Sequence, residues 1–200
     1  MMSKSYGDHR AQTATPSVSL SERPEQALFH LSVSVETESA SAALPLLKRS
    51  VTRLEELLPP LGARLTITDF DLPSAEGKVS ELVSQLHASL TVPFAPETPF
   101  WERAQKLAQV DGLLRALVLE GKKQKPPLLV RSDLPVFVVA DPELRRAALV
   151  NRLQERARSL GPHVALKDLR FDRPVEQRSV SLEEVQLTLS VEGVAEVAFK

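Results

Sequence analysis

Four histidines, a repeated set of aspartates, one lysine cluster and one aromatic pair are the side chains whose types and spacing could do chemistry in this sequence. His30 and His87 fall on outward positions of two alternating stretches. If those stretches paired as strands, their imidazoles could meet and bind a divalent metal. No carboxylate or third ligand stands at a diagnostic spacing, so both read as solvent-facing and no metal is expected. His9 lies in a polar opening stretch, and His163 beside Pro162 reads as a turn residue.

Asp69, Asp71, Asp168 and Asp172 recur with a repeated phrase. Two neighbouring carboxyls can divide acid and base roles when one is protonated by the other's charge. Such pairs need differing environments, whereas these repeat, so they read as turn residues that bind backbone amides. Lys122, Lys123 and Lys125 could touch phosphate or an acidic partner. On an exposed loop that ends in Pro126-Pro127, they read first as solubilising charge. Phe100 and Trp101 open a predicted helix, where aromatics can anchor a partner or cap the apolar core, and the core role is expected. The arginines over 141–160 interleave with Glu143 and Glu155, so pairing one turn apart accounts for part of them. No aromatics stand among them to stack bases. There is no phosphate-cradling glycine loop, no nucleophile elbow and no paired-histidine zinc motif. The absence of Cys excludes thiolate sites and disulfides. No catalytic residue, metal or cofactor is assigned, and a non-enzyme is expected. Phe100, Trp101, Lys122, Lys123 and Lys125 are kept as a possible interaction surface.

The elements that would position these residues follow from patterning. With 42% hydrophobic and 26% charged residues, the 200-residue chain can bury a core and stay dispersed. The 7 Phe, 1 Trp and 1 Tyr leave Leu, Val and Ala to fill that core. A net charge of −1 gives no bulk attraction to nucleic acid or anionic membrane, and no stretch has the apolar length of a membrane span. The first ten residues lack the apolar core of a secretory signal. A cytoplasmic protein is therefore expected, or a periplasmic one if a leader has been removed.

Residues 1–16 read as a disordered tail. Residues 17–200 read as one domain with repeat halves at about 17–95 and 128–200, joined by a helical connection at about 97–125. Leu61-Gly62-Ala63-Arg64-Leu65-Thr66-Ile67-Thr68-Asp69 returns as Leu160-Gly161-Pro162-His163-Val164-Ala165-Leu166-Lys167-Asp168, each time after an amphipathic helical stretch and before an Asp-x-Pro. Strands are expected within 17–36, at 61–71, 79–94, 128–131 and 135–140, after Gly161, and over 185–199 with Gly193 as a bulge. Helices are expected over 42–58, with Pro45 in the first turn, over 98–120, capped by Thr98 with Pro99 first, and over 141–160, capped by Asp141. The last helix would bury Leu144, Ala148, Leu149, Leu153, Ala157 and Leu160. This is an α+β pattern: two strand–helix–strand–strand repeats making antiparallel sheet with helices on one face, plus one extra helix.

Three passages give this layout its resemblance to the SIMPL domain family. They are the alternating strand, Ala/Leu-rich helix and Leu61-Gly62 strand of 28–71, the run Val139–Ala148 leading through Arg152–Gly161, and the closing alternation of Val185, Leu187, Leu189, Val191, Val194 and Val197. The resemblance implies an α+β protein without a known catalytic centre that assembles into oligomers, and it carries over no catalytic residues. The expected partner is a second copy or another protein, met through strand edges at 28–36 or 185–199. The alternative is a small-ligand or anion module between the repeat halves, using Arg64, His163 and Arg170.

Overall fold

A computed structural model describes residues 12–14, 17–71, 82–159 and 164–197. In chain order these form β1 (Gln12–Ala14), β2 (Ser17–Glu22), β3 (Gln26–Thr37), α1 (Ala40–Leu57), β4 (Arg64–Asp71), β5 (Leu82–Pro93) and α2 (Phe100–Lys123). Then come β6 (Leu128–Ser132), β7 (Val136–Val138), α3 (Arg146–Ser159), β8 (Val164–Arg170), β9 (Glu176–Ser181), β10 (Glu184–Ser190) and β11 (Glu192–Val197). Short 3-10 turns at Pro59–Leu61 and Pro142–Arg145 precede β4 and α3. The fold is α+β. Among the described residues no helix is long and apolar enough to cross a membrane.

The chain divides into two units, one of residues 24–138 with 181–183, the other of residues up to Arg23, 139–180 and those from Glu184. In the first unit, alternation builds the sheet. Ala27, Phe29, Leu31, Val33 and Val35 of β3 point inward, as do Leu86, Ala88, Leu90 and Val92 of β5. The two strands pair antiparallel over their whole length. The strand order is β4-β5-β3-β6, and β7 also pairs with β3. Helix α1 covers the inward face with Ala43, Leu47, Val51 and Leu54, and α2 with Val110, Leu114 and Leu117.

In the second unit, β2 and β9 flank β10, while β1 and β8 flank β11. Its core is Val18, Val175, Val185, Leu187, Leu189 and Val191 with Leu149 and Leu153 of α3. The strand–helix–strand–strand arrangement thus occurs in both units, but the segments differ from the expected halves. Residues 17–22 supply a strand of the second unit, whereas 128–138 extend the first sheet. β9 went unpredicted, because Glu176–Ser181 has no apolar alternation and is mostly exposed. The bulge at Gly193 is present as a register shift between Glu192 and Val194.

The repeated Leu-Gly has a conformational cause in its first copy. Gly62 takes φ +65°, a left-handed conformation that glycine adopts without cost, and its N–H donates to the Pro59 carbonyl at 2.8 Å. Asp141 caps as expected, accepting from the Glu143 amide at 3.1 Å. Other helix details differ. Ser39 caps α1 and Pro45 is the sixth helical residue, beyond the first turn, so tertiary burial overrides the local proline penalty. Pro99, not Thr98, is the N-cap of α2, and no side chain caps it. Helix α2 runs unbroken through Asp111-Gly112 and takes in Lys122 and Lys123. Gly121 sits so close to β6 that a Cβ there would meet the Leu128 carbonyl at 2.7 Å. Leu144 is 71% exposed and Ala148 exposed, because 142–145 winds as a 3-10 turn and shifts the helical phase.

One charged residue sits in the core. Arg103, 1% exposed, follows the first turn of α2. Its Nε donates to the Thr98 carbonyl at 3.0 Å, its Nη1 to Pro24 at 3.0 Å and Leu182 at 3.4 Å, and its Nη2 to Ala95 at 3.5 Å. The guanidinium also lies 5.0 Å from the centre of the Phe94 ring and 3.9 Å from a Glu183 oxygen. Replacing Arg103 with leucine strands several carbonyls, so Arg103→Leu should lower urea-measured stability by about 3 kcal/mol. Arg103→Lys should fall between the two. A leucine variant within about 0.5 kcal/mol of the parent would show that the cluster contributes little.

The opposite defect lies in β5. The Ser84 hydroxyl is fully buried with no hydrogen-bond partner among the described residues. Ser84→Ala should therefore stabilise by about 1 kcal/mol, read as a raised urea midpoint with unchanged slope.

Candidate functional site

The outward face of the five-stranded sheet is polar because the alternation that buries one set of residues exposes the other. Cross-strand register arranges it in rows. Arg131, Ser32, His87 and Asp69 stand side by side across β6, β3, β5 and β4. The next row is Leu129, Ser34, Gln85 and Asp71. His30 stands opposite Ser89, two positions along from His87, so the two histidines share this face on adjacent strands. His87 Nε2 lies 3.1 Å from Asp71 Oδ2. Among the described residues no three His, Cys, Asp or Glu groups come together to hold a metal.

The row places Ser32, His87 and Asp69 next to one another, the residue types of a nucleophilic triad. The geometry does not make one. His87 is engaged by Asp71, no Ser32–His87 hydrogen bond forms among the described residues, and the face is an open sheet surface. Asp69 is used locally: its Oδ1 accepts from the Phe70 amide at 2.7 Å. Asp69 thus binds a backbone amide as expected, but within β4 and not in a turn, while Asp71 bonds the His87 side chain instead.

Beside this face runs the edge strand β4. It pairs with β5 on one side, and among the described residues no strand pairs its other side. Leu65, Ile67 and Phe70 stand opposite the inward-facing Leu90, Ala88 and Leu86. Arg64, Thr66, Asp69 and Asp71 stand opposite outward positions, and Thr68 is the extra residue of a bulge. Six of the eight residues are exposed, and Ile67 is 52% exposed. The strands expected to offer edges do not do so. β3 is flanked by β5 on one side and by β6 and β7 on the other, and β10 and β11 each lie between two strands.

The residues kept as an interaction surface scatter along α2. Trp101 is 79% exposed and Phe100 43%, their rings edge to face with centres 5.1 Å apart. The expectation that they cap the core fails on helical phase. Arg103, Val110, Leu114, Leu117 and Gly121 define the buried stripe, and Trp101 stands about 200° around the helix from Arg103. Lys122 and Lys123 are exposed in the last turn of α2, where cations suit the negative end of the helix dipole. Lys125 is exposed just beyond it. The helix therefore separates the aromatic pair from the lysines by its whole length.

Arg64 is exposed on β4, and Arg170 is exposed at the end of β8 in the other unit. His9, His163, Pro73 and Leu160 lie outside the described residues. Asp172 is exposed, and Asp168 falls on β8.

A tighter polar cluster stands in the second unit. Arg146 Nε donates to Glu143 at 2.6 Å, while its Nη1 and Nη2 donate to the carbonyls of Phe171 and Arg173 at 2.6 and 2.9 Å. The Val175 amide donates to the other Glu143 oxygen at 2.8 Å. The sequence pointed to Arg146 only as part of a solvated face. Its spacing three residues after Glu143 was the available signal.

No protein-family model matches the chain, and no curated protein matches it.

The Arg146 hydrogen bond, followed by that of Val175, holds the Glu143 carboxyl below the usual glutamate range. A carboxyl whose pKa is lower folded than unfolded binds more protons in the unfolded chain. Its contribution is present at neutral pH and disappears as pH falls below the ordinary glutamate value of about 4.3, through the lowered folded value. Stability measured in urea from pH 7 to pH 3 should therefore fall less steeply in Glu143→Gln than in the parent. Parallel curves would remove Glu143 from the acid response.

Proposed function

We propose that this chain is a non-enzymatic, SIMPL-like interaction domain that self-associates by adding β4 to β4 of a second copy. The family reading draws on the sequence resemblance and on the strand–helix–strand–strand layout. The association reading draws on one observation: among the described residues β4 is an open edge, and its sequence is complementary to itself.

Consider two copies of β4 brought together antiparallel, with a two-fold axis between Ile67 and Thr68. Arg64 then meets Asp71, Leu65 meets Phe70, and Thr66 meets Asp69, each twice. In a regular strand, residues seven apart point to opposite faces, which would forbid this register. The bulge at Thr68 returns Asp71 to the same outward face as Arg64. The apolar pairs fall on the inward face and the charged pairs on the outward one, as a continuous sheet requires. A single strand-to-strand contact is small, so a reversible dimer with an affinity of about micromolar is the expected form.

Light scattering over a concentration series tests this. The parent should shift from monomer to dimer, and Arg64→Asp, which sets like charges opposite each other twice, should weaken that shift about tenfold. Asp71→Arg should act similarly, and the double swap should restore it. A parent that stays monomeric, or an Arg64→Asp variant that dimerises equally well, would refute β4 pairing.

A further inference from the structure

We infer a binding site, inside the first unit, for a small monocarboxylate with an apolar body of about six carbons. The two helices over the sheet do not meet in a close seam: α1 packs on β3, β5 and β4, and α2 on β6. Between them the structure leaves a cavity of about 180 Å³. Its floor is apolar, made by Val33 and Val130 of the sheet, Leu54 of α1, and Leu117 of α2. Ser50, a small residue on α1, leaves the gap unfilled, and Gly121, backed against Leu128, lines it on the α2 side. An apolar cavity of about 150 Å³ accepts a benzene ring, so this one has room for a ring or a short branched chain.

The mouth supplies the polar recognition. Arg49 and Arg53 stand one turn apart on α1 and both line the cavity. Arg53 is drawn to Glu56 at 3.4 Å. Arg49 has no ion pair or hydrogen bond among the described residues, and its fork of N–H donors suits a carboxylate. Glu120 stands on the α2 side of the mouth and is likewise without a partner among the described residues. Arg49 therefore favours one anionic group, while Glu120 opposes a second, which selects a monoanion over a dianion. An apolar body in the cavity places its carboxylate at this mouth. This site lies within one unit and is independent of β4.

Benzoate and its neutral isostere benzamide are the probes, titrated into the full chain by calorimetry or by NMR shift perturbation. Benzoate should bind about tenfold more tightly than benzamide. Arg49→Gln should abolish that difference while leaving benzamide affinity unchanged, and Glu120→Gln should strengthen benzoate binding severalfold. Ser50→Leu should fill the cavity and remove binding of both probes. Among the described residues the Ser50 hydroxyl bonds only the Leu46 carbonyl one turn back, so this change breaks no hydrogen bond to another element there. If a thermal melt shows that the leucine variant does not fold, Ser50→Val takes its place. Absence of binding by either probe, equal binding of both, or a benzoate preference that survives Arg49→Gln overturns the site. Retained binding in the folded Ser50 variant places the ligand elsewhere and overturns it too.

Discussion

The first unit depends on a charge that has no water. Arg103 stands at the start of α2, where the helix dipole is positive and a cation is disfavoured. Desolvating a guanidinium costs several kcal/mol, and that cost must be offset within the unit. The offset comes from four carbonyls, the face of Phe94 and the neighbouring Glu183. These carbonyls come from the chain entering β3, from the connection between β5 and α2, and from the turn at 182. The backbone bonds Phe94 to Glu25 at 2.7 Å and Glu25 to Val138 at 3.0 Å close the same end of the sheet. Arg103 fixes the direction in which α2 leaves β5, and through it which face of the helix supplies Val110, Leu114 and Leu117 to the core.

That orientation accounts for features at both ends of the helix. Once Arg103 is inside, Trp101 must be outside, because two residues of helix carry a side chain more than half way round. At the far end, the same stripe brings Gly121 against β6 so closely that no side chain fits. Lys122 and Lys123 are then carried outward at the helix C-terminus. Helix α2 is held near the sheet at its two ends. Beside its last turns, at Leu117, Glu120 and Gly121, the space between α2 and α1 is left incompletely filled.

Much of this was legible in the sequence. The alternation from Ala27 to Val35 marked β3, the Leu/Val stripe marked α1, and Gly62 and Gly193 marked a turn and a bulge. What was hidden depended on pairing or on charge. Strand register is not encoded within one strand, so 28–36 and 185–199 read as free edges, yet β3, β10 and β11 are each flanked on both sides. Segments 17–22 and 128–138 stand in each other's expected places for the same reason, and Gln12–Ala14, expected within a disordered tail, forms β1 against β11. Arg103 is hidden in the sequence because a charged residue does not mark a buried stripe, although it lies seven residues before Val110. Phe100-Trp101 is the converse case: aromatic character suggests the core, but helical phase places both rings outside. The mostly exposed β9 carries no apolar alternation at all, and only its neighbour β10 defines it.

The two edges of the five-stranded sheet are not equivalent. β6 is short and follows Pro126-Pro127, and α2 packs against it, which are ordinary protections of an edge. β4 is longer, carries no proline, and is mostly exposed. The outward face offers little else to hold a partner, since it bears serines, threonines, histidines and scattered charged groups, with few apolar ones. Trp101 alone cannot do so either: burying such a side chain contributes about 1.5–3 kcal/mol, whereas association costs at least about 4 kcal/mol. An added strand brings several main-chain hydrogen bonds at about 0.5–1.5 kcal/mol each, together with two apolar and two charged cross-strand pairs. On these magnitudes the edge outweighs both the face and the aromatic pair. The bulge at Thr68, which commonly serves to spoil an edge, here puts the charged ends of β4 on one side, where a second copy can meet them.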